Sequence, residues 1–94
     1  MVNIICYLCV IGGIVMVHEL KILPEYFELV RKCIKNFEVR KNDRDFKVGD
    51  TLELREWDGE KYTGRNQRRK IGYILDNPEY CKEGYVILGF AVDY

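Results

Sequence analysis

Turn signals divide the second half of this chain into runs too short for helices. Val48-Gly49-Asp50, Asp58-Gly59 and Asp76-Asn77-Pro78 each bend or end an extended stretch. Asp and Asn bond their own backbone there, Gly accepts positive φ, and Pro withholds a donor. The runs between them carry strand signals. From Thr51 to Trp57, Leu52 and Leu54 fall on one face and Glu53 and Arg55 on the other, the two-residue period of a half-buried strand. Asp58-Gly59 is a hairpin turn, with Lys61 to Gly64 as the return strand. Arg65 to Lys70 is polar and basic and is expected as a loop or a sheet edge. Ile71 to Leu75 reads as a further strand. Tyr85 to Val92 is apolar on both faces, which suits a central strand covered on both sides.

The first half holds one helix. His18 to Ile22 reads as a strand, and Pro24 then suits the first helical turn, where its missing N–H costs nothing. Tyr26, Phe27 and Val30 share a face behind Leu23. Glu25 and Glu28 come early and Arg31 and Lys32 late, as the helix dipole favours. The helix is expected to end near Lys32. Strand, helix and then four or five closely spaced strands predict an α+β fold: a small mixed β-barrel of about five to six strands with one packed helix near the N-terminus.

Ninety-four residues make one domain, and a hydrophobic content of 48% supports a core rather than disorder. The formal net charge is zero, but the charge is segregated. Arg31 to Lys47 holds seven Lys/Arg against three Asp/Glu, and Arg65 to Lys70 holds four basic residues and no acid. Two such segments could merge into one positive patch. Cys6-x-x-Cys9 has metal-ligand spacing, but Cys33 and Cys81 do not supply the second pair of a structural zinc site. No metal or cofactor is expected, and the cysteines read as reduced thiols of a cytoplasmic protein.

Residues 1–17 are uncharged and strongly apolar. The run is short of the ~20 residues of a membrane helix and has no basic region ahead of it, so neither a span nor a signal peptide is expected. Gly12-Gly13 can be encoded as a ribosome-binding sequence two codons before Met16. Residues 1–15 are therefore expected to be upstream sequence read in frame, or else an extra strand or a self-association surface, with the domain proper over 16–94.

The stretch with most functional content runs from Lys35 to Asp50. Phe37 and Val39 alternate with Glu38 and Arg40, so one face of this strand is expected to meet the core and the other to face solvent or a polar pocket. Lys41-Asn42-Asp43-Arg44-Asp45 then forms a polar turn. Lys35-x-x-Glu38-x-Arg40, just after a short helix, resembles the G-x-K-x-x-E-x-R signature of ASCH domains, members of the PUA-like superfold. His18-Glu19-Leu20-Lys21-Ile22, Pro24-x-Tyr26-Phe27, Arg44-x-Phe46-x-Val48-Gly49-Asp50, Glu56-Trp57-Asp58, Tyr62-Thr63-Gly64-Arg65 and Gly84 to Phe90 extend the likeness over about His18 to Phe90. It points to a small single-domain branch in bacteria and their phages. The family pattern has Gly where this chain has Cys33. A left-handed cap at that position would cost a non-Gly residue about 1–2 kcal/mol.

The resemblance implies a cleft that holds RNA or a modified nucleotide, lined by Lys35, Glu38 and Arg40. Lys and Arg neutralise phosphate, Arg offers a planar donor fork, and Glu38 could accept from a base amino group. Lys41, Asn42, Arg44 and Arg65 are further candidates for nucleic-acid contact, and Trp57 and Tyr62 for stacking on a base. Some ASCH relatives are amidohydrolases acting on N4-acylated cytidine, and others are assigned ribonuclease activity. Lys35 and Glu38 are the catalytic candidates on that alternative. The amidohydrolase pattern has threonine at the Glu38 position, and a carboxylate is a poor substitute for a hydroxyl nucleophile. A protein-interaction module is a third class, consistent with the apolar start. His18, the single histidine, reads as a structural residue at a strand end.

Overall fold

A computed structural model of the chain describes residues 4–10 and 13–92. The elements run β1 (Ile4–Val10), β2 (Gly13–Ile22), α1 (Pro24–Arg31), β3 (Phe37–Lys41), β4 (Thr51–Trp57), β5 (Tyr62–Leu75) and β6 (Tyr85–Phe90). They form one mixed sheet in the order β1-β2-β4-β5-β6-β3. Strands β2 and β4 are parallel, joined by a crossover through α1 and β3, and every other pair is antiparallel. Residues 1–3 and 11–12 of the apolar start lie outside the described residues, as do the side chains of Cys6 and Cys9. Between those gaps the backbone of β1 pairs along β2, from Val10 opposite Gly13 to Ile4 opposite His18.

Alternation places the core. His18, Leu20 and Ile22 of β2 and Leu52, Leu54 and Glu56 of β4 all turn inward. Phe27 and Val30 of α1 close over them with Phe46, Ile71, Val86 and Leu88. Leu52 and Leu54 are fully buried, each stabilising the fold by about 1.5–3 kcal/mol. The helix starts at Pro24 and caps at Lys32, as its charge and proline pattern predict. Strand β6 buries Val86 and Leu88 on one face only, the other face being half-buried.

The inward polar residues bond locally, except that His18 Nδ1 is buried with no hydrogen-bond partner among the described residues. His18 Nε2 lies 2.8 Å from Asp50 Oδ2, and its ring meets Phe46 edge-on at 4.9 Å. Asp50 also accepts the backbone N–H groups of Met16 (3.2 Å) and Lys47 (3.1 Å), so its carboxylate fixes the turn that launches β4. His18 is thus a structural residue of the core, on the face that alternation assigns it.

The expected closed barrel is not formed. The sheet curls until β3, at one edge, lies opposite β2, but the two strands share no backbone ladder. Much of the outer edge of β2 is already taken. Up to His18 that edge is paired with β1. Beyond it, the Glu19 carbonyl accepts from Arg44 Nη1 at 3.1 Å and the Lys21 carbonyl from Arg40 Nη2 at 2.6 Å. Guanidinium groups therefore stand where strand-to-strand hydrogen bonds would close the barrel. An open seam remains between β2 and β3.

Two further expectations change. Arg65 to Lys70 is neither loop nor edge: it is the middle of β5, a 14-residue strand whose first part pairs with β4 and whose last part pairs with β6. Its basic side chains are accommodated because Arg68 sits opposite Glu53 and ion-pairs with it. Gln67 and Arg69 donate to the Phe27 and Val30 carbonyls of α1. The register shifts between Ile71 and Tyr73, where the strand passes from one partner to the other. Gly72 sits at that shift, and a Cβ there would lie 2.7 Å from Ala91 Cα.

The faces of β3 are also the reverse of those expected. Glu38 is 4% exposed, whereas Phe37 and Val39 are 44% and 51% exposed. Period-two alternation is present, but it is the carboxylate that turns inward. Ahead of this strand, Cys33 adopts φ 60°, so the left-handed cap is kept at the position where the ASCH pattern has Gly. The Ile34 and Lys35 N–H groups turn back to the Leu29 carbonyl and Cys33 N–H to that of Val30, which closes the helix C-terminus.

Two substitutions test these backbone features. Cys33→Gly relieves the left-handed strain and is expected to raise the unfolding free energy by about 1 kcal/mol, after allowance for glycine's added unfolded-state entropy. Gly72→Ala drives a methyl group into the Ala91 main chain and is expected to lower it by about 1–3 kcal/mol. Urea denaturation of the two variants beside the parent chain checks both signs.

Candidate nucleotide cleft in the open seam

The seam between β2 and β3 is a cleft of about 480 Å³, within the range of small-ligand sites. Lys21, Ile22 and Leu23 line one wall, Tyr26 of α1 its end, and Lys35 with Phe37 to Arg40 the other wall. The walls are mostly apolar, and three cations stand among them. The helix cap positions Lys35: once Cys33 reverses the chain, Lys35 lies three residues before Glu38 and reaches back to it.

Glu38 is the hub of the cleft. Its side chain is only 5% exposed, and it meets two cations. Lys35 Nζ donates to Oε2, while Arg40 Nε (3.0 Å) and Nη2 (2.7 Å) both donate to Oε1. Lys35 Nζ also donates to the Phe37 carbonyl at 2.6 Å, and Arg40 Nη2 to that of Lys21. A buried carboxylate is tolerated only when it is paired and hydrogen-bonded, and here both conditions hold. The three side chains together carry one net positive charge. Lys21 adds another, with its Nζ 3.9 Å from the centroid of the Trp57 ring.

The other sequence candidates distribute around this core. Lys41 and Arg44 line a second depression of about 240 Å³ with Leu20, Asp43 and Phe46, and Arg40 borders both hollows. Asn42 is exposed at the end of β3, its N–H bonded to the Gly84 carbonyl. Trp57 does not line the cleft. It meets Tyr62 edge-on at 5.0 Å and carries Lys21 on its face. Arg55 covers the Tyr62 ring at 3.7 Å, so both aromatic faces expected to stack on a base already hold a cation. Lys21 and Tyr26 are cleft residues that the sequence reading did not select. Alternation does put Lys21 on the outer face of β2, but only the curl of the sheet brings that face to β3.

Arg65 is placed elsewhere. Its guanidinium pairs with Glu56 and with Glu28 of α1, both at 2.8 Å, and stacks over Phe27 at 4.6 Å. It ties the helix to the sheet. Glu56 needs this partner because strand alternation turns it inward at 4% exposure, where Thr63 Oγ1 also donates to it at 2.6 Å. Hydrogen bonds from Arg31 and Arg65 hold the Glu28 carboxyl down at about 2. Those from Arg65 and Thr63 hold Glu56 below its ordinary value. Among the described residues, no group of three or more His, Cys, Asp or Glu is arranged to hold a metal ion, and no helix is long and apolar enough to cross a membrane.

Residues 17–90 match the family described as Domain of unknown function (DUF3850). The stretch takes in the helix, the seam, β2 from Val17 onward and strands β3 to β6. The chain belongs to the DUF3850 family. An Escherichia phage P2 protein, described as "Uncharacterized 12.9 kDa protein in GpA 3'region", is 40% identical to it over 72 residues. That match covers 77% of this chain and 65% of the phage protein, so the chain spans just under two thirds of that relative's length. The DUF3850 region contains Lys21, Lys35, Glu38 and Arg40, the four charged residues of the cleft.

The Arg65 clamp predicts an acid dependence. Glu28 and Glu56 have lowered values in the fold, so their contribution is present above the ordinary value of 4.5 and is lost as pH falls through the folded values. Arg65→Gln removes the shared cause of both shifts. The difference in melting temperature between the parent chain and this variant is expected to shrink steadily as pH falls from about 4.5 towards about 2. Melting curves followed by circular dichroism over that range provide the check.

Proposed function

We propose that this DUF3850 domain is an ASCH-like domain that binds RNA or a nucleotide in the seam between β2 and β3. The observation that carries the reading is the convergence of Lys35, Glu38 and Arg40 on one cleft with an excess of positive charge. A nucleotide presents an anionic phosphate and a flat, largely apolar base, and the cleft offers cations set among apolar walls. The ASCH resemblance rests on the same residues, since Lys35-x-x-Glu38-x-Arg40 is the part of the signature this chain retains. Lys41 and Arg44, in the adjoining hollow past Arg40, provide for a phosphate next along a strand.

Binding accounts for these contacts better than proton transfer does. Lys35 acts as a donor to two acceptors, and Glu38 as an acceptor for two cations. Neither is disposed towards a substrate as a base or a nucleophile.

Fluorescence anisotropy with a short single-stranded RNA tests the reading. Lys35→Met and Arg40→Met are each expected to weaken binding about tenfold, and Arg68→Ala, outside the cleft, to leave it unchanged. The affinity is expected to fall as salt rises, with a slope of roughly −0.7 per neutralised phosphate. Affinity that is indifferent to salt, or to both cleft variants, contradicts the proposal.

A further inference from the structure

The cleft's hydrogen-bonding groups are unequally spent, and what is left describes the base it takes. On the donor side, Lys35 Nζ uses two of its three N–H groups, on the Phe37 carbonyl and on Glu38. Arg40 uses Nε and Nη2 on Glu38 and on the Lys21 carbonyl, while Nη1 makes no hydrogen bond among the described residues. On the acceptor side, Glu38 Oε1 takes two N–H groups from Arg40 and Oε2 takes Lys35, with the side chain 5% exposed. The Lys21 and Phe37 carbonyls are occupied as well. The carboxylate that the sequence offers as a partner for a base amino group is therefore consumed in holding the two cations.

The edge of β3 supplies one more pair of groups. The Asn36 carbonyl accepts from Phe90 N–H and Asn42 N–H donates to the Gly84 carbonyl. In an antiparallel ladder the peptide groups of successive residues turn alternately towards and away from the partner strand. With Asn36 and Asn42 turned towards β6, Phe37 and Val39 turn away from it, into the seam. The Phe37 carbonyl does meet Lys35 there. Val39 therefore presents one N–H and one carbonyl beside the spare donors of Lys35 and Arg40.

We infer that the cleft selects a base with a carbonyl at pyrimidine C4 or purine C6, uracil or guanine, over one with an exocyclic amine there, cytosine or adenine. This rests on the nucleotide-binding reading above. A keto oxygen accepts from the cationic donors, and the adjacent ring N–H finds the Val39 carbonyl. An amine at the same position sets N–H against N–H beside two cations, and their spare donors, partly shielded from water, find no acceptor on it. A site with committed donors rejects the mismatched analogue more strongly than an apolar wall does.

The test is a titration of the full chain with UMP, GMP, CMP and AMP, and with ribose 5-phosphate as the base-free control, followed by amide chemical shifts. UMP and GMP are expected to bind about tenfold tighter than CMP and AMP, with shifts centred on Val39 and Arg40. Arg40→Lys, which keeps the charge and loses Nη1, is expected to narrow the gap, the same spectra reporting whether the variant is folded. Equal affinity for all four nucleotides, or a preference for CMP or AMP, overturns the selectivity and leaves nucleotide binding standing. Absence of binding by every nucleotide overturns both.

Discussion

A carboxylate turned into the protein interior at Glu38 sets the terms for everything around it. Removed from water, it requires cations, and the chain supplies two from its own neighbourhood, Lys35 three residues before it and Arg40 two residues after. Arg40 is then held where its second nitrogen takes the Lys21 carbonyl of β2. That bond, with the one from Arg44 to Glu19, occupies the edge against which β3 would otherwise pair. The sheet stays open at that point. The cleft is the direct consequence: two strands brought face to face and kept apart by the side chains that bridge them.

The Arg65 cluster shows the same principle put to structural use. Glu56 is also an inward acid, and Arg65 reaches it by lying across Phe27 and taking Glu28 on the way. There the guanidinium is enclosed by acids and an aromatic ring and joins helix to sheet. In the seam the cations outnumber the acid and retain unused donors. Arg68 likewise has a carboxylate opposite it on β4. Of the two basic segments, the first therefore faces a hollow with charge to spare, while much of the second is neutralised within the sheet.

What was legible in the sequence follows from how local each feature is. The helix from Pro24, its end at Lys32 and the alternation of Leu52 and Leu54 depend on residues within a few positions of one another, and all could be read. The grouping of Lys35, Glu38 and Arg40 was legible for the same reason. Strand β5 was not, because Arg65 to Lys70 looks like a loop until Glu53, Glu56 and the helix carbonyls are in place to receive it. The orientation of β3 was misread because Phe37 and Val39 are the apolar residues of that strand, and only Lys35 and Arg40 together make it favourable to bury Glu38 instead. The closed barrel failed for a non-local reason too: nothing near Arg40 or Arg44 in the sequence says that their partners are carbonyls of β2. Lys21 entered the cleft by that same route.

The claim that Glu38 and Arg40 act as one unit is open to a double-mutant cycle. Glu38→Gln, Arg40→Met and the double variant would be compared with the parent chain by urea unfolding. If the carboxylate and the guanidinium hold the seam together, the single losses overlap and the cycle gives a coupling of about 1–3 kcal/mol. Losses that simply add, to within about 0.5 kcal/mol, would mean that the pair does not organise the cleft.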